Sequence, residues 1–251
     1  MSGFIATTID ALWRAAVPDP TRPVITYYDD ATGERTELSG ATLDNWVAKT
    51  ANLLVDGLAL GPGDTAAVLL PPHWQTAAVL LGCWAAGVTV RGAVPDGPDR
   101  QDGQVAHVAQ VAFATADRLD AVHAATPDVY VLGLAPLAAP MRPGPPPGAA
   151  DYIVEVRAYG DHFSATAGAA DLATPTATHE DLCGRAGQRS AELGIAAGSR
   201  VLVDGDAVTD PVDWLLAPLA AGASIVLCRH VDPRGLDERA ATERVTVRLP
   251  S

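Results

Sequence analysis

The sequence predicts an α/β protein in which a mostly parallel sheet is layered between helices. Three observations lead there. Helix-like and strand-like patterns alternate along the chain, as they do where parallel strands are joined by helical crossovers. Several strand-like runs are continuously apolar, as expected of strands covered on both faces. Of the 251 residues, 48% are hydrophobic and 19% charged, the balance of a chain that buries a core.

Each element has a local reason. Ile5, Ile9, Leu12, Trp13 and Ala16 recur at helical spacing over 5–17, with Thr7 or Thr8 as cap and Pro18 and Pro20 as stop. The β-branched and aromatic run 23–28 and the run 34–38 flank Asp29, Asp30 and Gly33, which reads as a hairpin. The stretch 37–95 is the most regular. Ser39 or Thr42 caps a helix whose apolar positions Leu43, Trp46, Val47, Leu53, Leu54 and Leu58 recur at threes and fours. Gly61-Pro62-Gly63-Asp64 turns the chain into an apolar strand at 65–70, which Pro71-Pro72 ends. The helix at 74–86 is apolar on nearly every side and is therefore expected to be buried. Gly87 ends it, and a strand follows at 88–90.

After a polar loop at 95–103 the alternation continues, with a strand within 105–115, a helix at 116–125 and a strand at 129–133. Proline and alanine then dominate 134–149, which supports neither helix nor ladder and reads as an extended surface crossing. Beyond it come a helix at 150–159, a small-residue loop at 164–177 and a helix at 178–193. A strand at 200–203, a helix at 211–221, a strand at 224–228 and a short helix–strand pair complete the chain. The expectation is one domain over 1–251: a first α/β half (1–133), the Pro-rich connection (134–149) and a second α/β part (150–251).

Composition excludes several classes. A net charge of −13, spread along the chain, argues against a nucleic-acid partner, since phosphate binding draws on clustered Lys and Arg. Lys49 is the only lysine. Cys83, Cys183 and Cys228 are far apart and odd in number, which fits a reducing cytoplasm rather than a disulfide framework or a zinc site. No signal peptide and no run of ~20 apolar residues is visible, so a cytoplasmic protein without a membrane partner is expected.

Leu60-Gly61-Pro62-Gly63-Asp64, Val68-Leu69-Leu70-Pro71 and Ala85-Ala86-Gly87 together resemble the N-terminal region of the AMP-binding, adenylate-forming superfamily of acyl-CoA synthetases, luciferases and adenylation domains. Arg200 to Val203, followed by Leu219 to Leu227, is similar to that family's strand–helix–Ala-Gly-Ala–strand unit. These residues set turns and packing, so the resemblance implies fold more than activity. It implies a Rossmann-like layered sheet similar to the first half of the large domain of adenylate-forming enzymes. Short length and an Arg-rich, Lys-poor composition also resemble small AMP-ligase-like actinobacterial proteins of unassigned function.

The family's phosphate-binding loop reads Ser-Gly-Thr-Thr-Gly-x-Pro-Lys-Gly, followed by a helix that begins Thr-His. Thr178-His179 matches the start of that helix, and Ser164 to Asp171 is the counterpart of the loop. Ser164, Thr166 and Gly168 keep its residue types, so with His179 they form the vestigial nucleotide-binding set. Ala165, Ala167 and Asp171 depart from the pattern, and an anion stands where the family has its lysine. Two unit charges about 4 Å apart interact at about 4 kcal/mol even at an effective dielectric near 20, here with the sign reversed. The family's remaining nucleotide motifs are expected past Ser251.

Other candidates have plainer explanations. His162 is expected as a solvent-exposed histidine near that loop. Asp204, Asp206 and Asp210 read as turn-formers after a strand rather than a cation site. Cys183 reads as a small buried residue, and Trp74 and Trp84 as core. The expectation is a non-catalytic relative of the acyl-CoA synthetases, with a binding or interaction role and no catalytic or metal-binding residue. No cofactor is read from the residues; ATP or AMP enters by resemblance alone. A protein partner or self-association is expected. The alternatives are an acyl or aminoacyl ligase subunit completed by a partner chain, and a small nucleotide- or CoA-binding protein.

Overall fold

The computed structural model describes residues 6–92 and 108–249. The loop expected at 95–103 lies outside them. In chain order the elements are α1 (Ile9–Ala16), β1 (Pro23–Asp29), β2 (Glu34–Ser39), α2 (Gly40–Asn52) continued by a π-helical turn at Leu53–Gly57, β3 (Thr65–Leu69), α3 (Trp74–Ala85), β4 (Thr89–Arg91), β5 (Val111–Ala114), β6 (Asp128–Val131) and β7 (Ala150–Asp151). Then come α4 (Tyr152–Val156), β8 (Leu172–Thr174), β9 (Ala177–Thr178), α5 (His179–Glu192), β10 (Arg200–Asp204), α6 (Ala217–Ala220), β11 (Ser224–Arg229), α7 (Leu236–Thr242) and β12 (Val247–Arg248). The chain forms two compact units: Met1–Leu43 with Pro71–Ala77 and His179–Ser251, and Asp44–Leu70 with Ala78–Thr178.

The first unit is built on a five-stranded sheet in the order β12-β10-β11-β1-β2. All neighbours are parallel except the β1–β2 hairpin. Alternation along the strands puts Leu202, Val226, Cys228 and Tyr28 on one face, where Ala240 and Leu236 of α7 pack against them. Ile25, Tyr27, Ile225 and Leu227 belong to the opposite face and are buried. The α1 helix starts at Ile9 because the Thr8 hydroxyl accepts a hydrogen bond from the Ala11 amide at 3.2 Å. Ser39 does the same for α2, accepting from the Thr42 amide at 3.2 Å.

The second unit holds a fully parallel sheet, β4-β3-β5-β6-β7, and the small antiparallel pair β8–β9. Ala66, Ala67, Val68, Val111, Ala112 and Phe113 are all 2% exposed or less, which explains why these strands are apolar at every position. The entry to β3 is set by Asp64, whose carboxylate accepts from the Gly61 amide at 2.9 Å, and by Gly63 at φ +100°. Every residue from Pro72 to Val90 is buried, so α3 is surrounded as its composition demands. Gly87 ends it in the left-handed region at φ +77°.

The expected α/β class, with mostly parallel sheets and flanking helices, is what the chain adopts. Several elements are shorter or differently wound. The helix expected at 116–125 is a 3₁₀ helix at Ala116–Ala121 with no buried residue, too weakly anchored to extend. Of the helix expected at 150–159, only Tyr152–Val156 is α-helical; its first two residues pair as β7, and Asp151 caps the turn through the Ile153 amide at 2.9 Å. The helix expected at 211–221 opens with a π-helical stretch, Val212–Leu216. The loop expected at 164–177 ends in the β8–β9 pair.

Candidate functional site

The loop expected as the counterpart of the phosphate-binding signature, 164–171, belongs to the second unit and is tied down by its own residues. The Thr166 amide donates to the Ala85 carbonyl at 3.0 Å, and its hydroxyl donates to the Ala86 carbonyl at 3.1 Å. Those carbonyls lie at the C-terminal end of α3, where the helix leaves acceptors unsatisfied. Thr166 thus spends both of its donors on closing that helix. The Gly168 amide donates to an Asp171 carboxylate oxygen at 2.7 Å, and the Asp171 amide returns a bond to the Gly168 carbonyl at 3.2 Å. The segment 168–171 is a turn closed by its own acid. A Cβ at position 168 would lie 3.3 Å from that same oxygen, so the carboxylate sits directly against the glycine.

Ser164 is exposed. His179 belongs to the other unit: it opens α5, is fully buried, and its Nδ1 accepts from the Ile9 amide at 3.4 Å, which links α5 to α1. The four expected residues therefore divide into three on the loop and one in the core of the first unit. Lys49 is partly buried in the second unit, where its ammonium donates to the Tyr159 carbonyl at 2.6 Å. A lysine in that role stitches α2 to a turn and is committed to structure.

The remaining candidates follow their plainer readings. His162 is exposed. Asp204 accepts from the Asp206 amide at 3.0 Å, and Asp210 from the Val212 amide at 2.8 Å, both as turn-closing side chains. Asp206 is salt-bridged to Arg229 at 2.5 Å; burial pushes its carboxyl up, but the hydrogen bond and charge of Arg229 together with the Val231 and His230 amides outweigh this and hold it below the usual range. Among the described residues no group of three His, Cys, Asp or Glu side chains is placed to hold a metal. Cys183 is buried, and burial together with Glu180 pushes its thiol up to about 11, far from a reactive thiolate. Trp74 and Trp84 are core residues, and the Trp84 indole donates to the Ala173 carbonyl at 3.0 Å.

Two polar groupings were not anticipated. In the first unit Glu243 accepts from the Tyr28 hydroxyl at 2.6 Å, from Arg35 at 3.0 Å and from Arg200. Burial would raise its carboxyl, but those three donors prevail and hold it at about 2. In the same unit His73 and Gln75, flanking Trp74 at the start of α3, are 0% and 1% exposed. Both are polar residues inside an otherwise apolar run, which is the one signal by which the sequence marks them.

An α/β chain with mostly parallel sheets and flanking helices has the architecture of the adenylate-forming enzymes. The sequence matches the AMP-binding enzyme family over residues 12–139. It is 44% identical over 254 residues to the "TIGR03089 family protein" of Mycobacterium tuberculosis (strain ATCC 25618 / H37Rv), covering 98% of this chain and 96% of that one. The chain belongs to the AMP-binding enzyme family.

Its fold is similar to that of the Brucella canis acyl-CoA synthetase (TM-score 0.68, 18% identity, 99% of this chain and 48% of that one). It is also similar to the fatty acyl-adenylate ligase from L. pneumophila (TM-score 0.65, 13% identity, 97% and 44%) and the acetoacetyl-CoA synthetase from Streptomyces lividans (TM-score 0.63, 18% identity, 93% and 40%). The chain spans about half the length of the acyl-CoA synthetase structures it matches. No described helix is long and apolar enough to cross a membrane.

Proposed function

We propose that this chain is a non-catalytic member of its family, a pseudoenzyme with a binding or interaction role. The observation that carries this reading is the closed 168–171 turn, in which the glycine amide suited to a phosphate oxygen is held by the Asp171 carboxylate at 2.7 Å. A nest of backbone amides binds an anion only while those amides are available. Lys49, the chain's one lysine, donates to the Tyr159 carbonyl and supplies no phosphate contact. The adenylation step of acyl-CoA synthetases needs both kinds of group at the triphosphate. Titration calorimetry with Mg-ATP and a pyrophosphate-exchange assay over short, long and aromatic carboxylic acids test this. No exchange above background is expected, and robust exchange by this chain alone would overturn the reading.

The half-length match to acyl-CoA synthetases favours a second reading, a ligase subunit whose remaining half is supplied by a partner chain. It predicts that such a half co-purifies with this chain and restores exchange. Co-purification without exchange leaves the interaction role standing and removes the ligase.

A further inference from the structure

At the carboxyl edge of the first unit's sheet, an imidazole is mounted on a fixed carboxylate. β10, β11 and β1 are parallel neighbours, so Asp204, Arg229 and Asp29 end them on the same side. The chain leaves β10 towards β11, and leaves β11 back past β10 to β12. Right-handed crossovers in opposite directions lie on opposite faces, and the strand ends between them are where α/β sheets carry ligand-contacting side chains. His230 is the first residue past β11. Its φ of +49° lies in the left-handed region, which a residue with a Cβ adopts at a cost and which recurs at functional sites. Its ring Nδ1 lies 2.9 Å from Asp29 Oδ1.

Asp29 is held independently of the histidine. Its side chain is 11% exposed, and Oδ1 also accepts from the amides of Ala31 at 2.9 Å and Thr32 at 3.3 Å in the hairpin turn. A carboxylate only accepts, so the ring donates from Nδ1 and carries its lone pair on Nε2. The His230 side chain is 52% exposed, and Nε2 has no hydrogen-bond partner among the described residues. An imidazole pinned in this way keeps one tautomer, and the carboxylate stabilises the positive charge that develops as Nε2 attacks an electrophile. The surroundings select the electrophile. Asp30, which accepts from the Asp232 amide at 2.8 Å, is paired with Arg239, and Asp232 with Arg234. Asp206 accepts from the Val231 amide at 3.3 Å and engages Arg229. An anionic phosphoryl donor would meet carboxylates whose cations are already taken.

We propose that His230 Nε2 is a covalent acceptor site for acyl groups from uncharged activated acyl compounds, with Asp29 as its positioning residue. The Nε2 lone pair bonds to the acyl carbon. The bond from that carbon to its oxygen or sulfur leaving group breaks, and the leaving group departs with the electron pair. The Nδ1 proton passes through Asp29 to solvent, leaving a neutral N-acylimidazole that water later returns to histidine and a carboxylic acid.

Diethyl pyrocarbonate applied to the full chain at a pH of about 8, where imidazoles are neutral, reads the site through peptide mapping by mass spectrometry. His162, exposed and with no carboxylate on its ring among the described residues, is the internal reference. His230 is expected to be modified at least about tenfold faster than His162; equal or slower modification overturns the proposal. Asp29→Asn offers an amide N–H to Nδ1 and so moves the ring proton to Nε2. The His230 rate should then fall about tenfold while that of His162 is unchanged, and the ¹⁵N shifts of the His230 ring should report the exchanged tautomer. A His230 rate that survives the substitution overturns the role of Asp29. Should the variant fail to fold, the ratio of His230 to His162 in the unaltered chain decides. Acetyl phosphate carries both an acyl and a phosphoryl centre, and a phosphorylated His230 after its addition would overturn the assignment to acyl groups.

Discussion

At the scale of single residues, the proposed function turns on Asp171, which on that reading decides what the loop can bind. Its carboxylate accepts from the Gly168 amide at 2.7 Å, so an incoming phosphate meets a filled donor and a like charge at once. Asp171→Asn removes the charge and weakens the turn. Pyrophosphate affinity measured by calorimetry is then expected to rise at least about tenfold, equivalent to about 1.4 kcal/mol. Equal binding by variant and parent would show that the acid is a bystander. The sequence shows an aspartate at 171, where the resemblance leads one to expect a lysine; it does not show that this side chain folds back onto the glycine, because that depends on a turn geometry three residues long.

Two further residues set how the protein responds to acid. Burial, with the Arg229 charge adding to it, lowers the His73 imidazole to about 3. As pH falls below about 6.5, the unfolded chain takes up a proton that the folded chain refuses, so stability falls by up to about 1.4 kcal/mol per pH unit down to about 3. Glu243, held at about 2, adds a loss in the same direction as pH falls from its ordinary 4.5 through that value. Urea midpoints measured between pH 7 and pH 5 should decrease steadily, and His73→Gln should flatten that slope. A flat profile in the parent would mean that His73 protonates freely in the fold.

At the scale of elements, α3 was the most legible part of the chain. Its apolar residues on all sides require burial, and every residue from Pro72 to Val90 is buried. Less legible was how closely α2 approaches it. A Cβ on Gly82 would stand 2.6 Å from the Thr50 Cβ and 3.1 Å from the Val47 carbonyl, so the helices touch where one of them has no side chain. Gly82→Ala gains about 1 kcal/mol of helix propensity, against an overpacking penalty of about 1–3 kcal/mol. Contacts this short put the penalty at the upper end. A net loss of about 1–2 kcal/mol is expected by chemical denaturation, and a gain would show that the helices can separate without cost. The misjudged elements, Ala116–Ala121 and Tyr152–Val156, are short pieces whose winding is set by what they pack against. Periodicity over so few residues cannot report that.

At the scale of the whole molecule, local pattern identified the class and not the pairing. Each five-stranded sheet joins strands distant in sequence: β1 with β11, and β3 with β5. Nothing in a strand's own residues names its partner. Charge is the global property that was legible from the start. With a net charge of −13 and an isoelectric point near 4.7, the protein should be least soluble close to that pH, where mutual repulsion vanishes. Turbidity that peaks there and clears above pH 6 is expected. A peak well above pH 6 would indicate association driven by an apolar surface instead.

The burial of α3 also has a consequence in time. Its C-terminal end is covered by bonds with Thr166, whose hydroxyl donates to the Ala86 carbonyl, and with Ala173, whose carbonyl accepts from the Trp84 indole, 80 and 89 residues further along the chain. A ribosome adding about 5–20 residues per second leaves that helix without its cover for about 4–18 seconds. During that interval a largely apolar segment protrudes from the nascent polypeptide. Trigger-factor-like chaperones should therefore engage this protein while it is still being made, and expression without them should yield inclusion bodies.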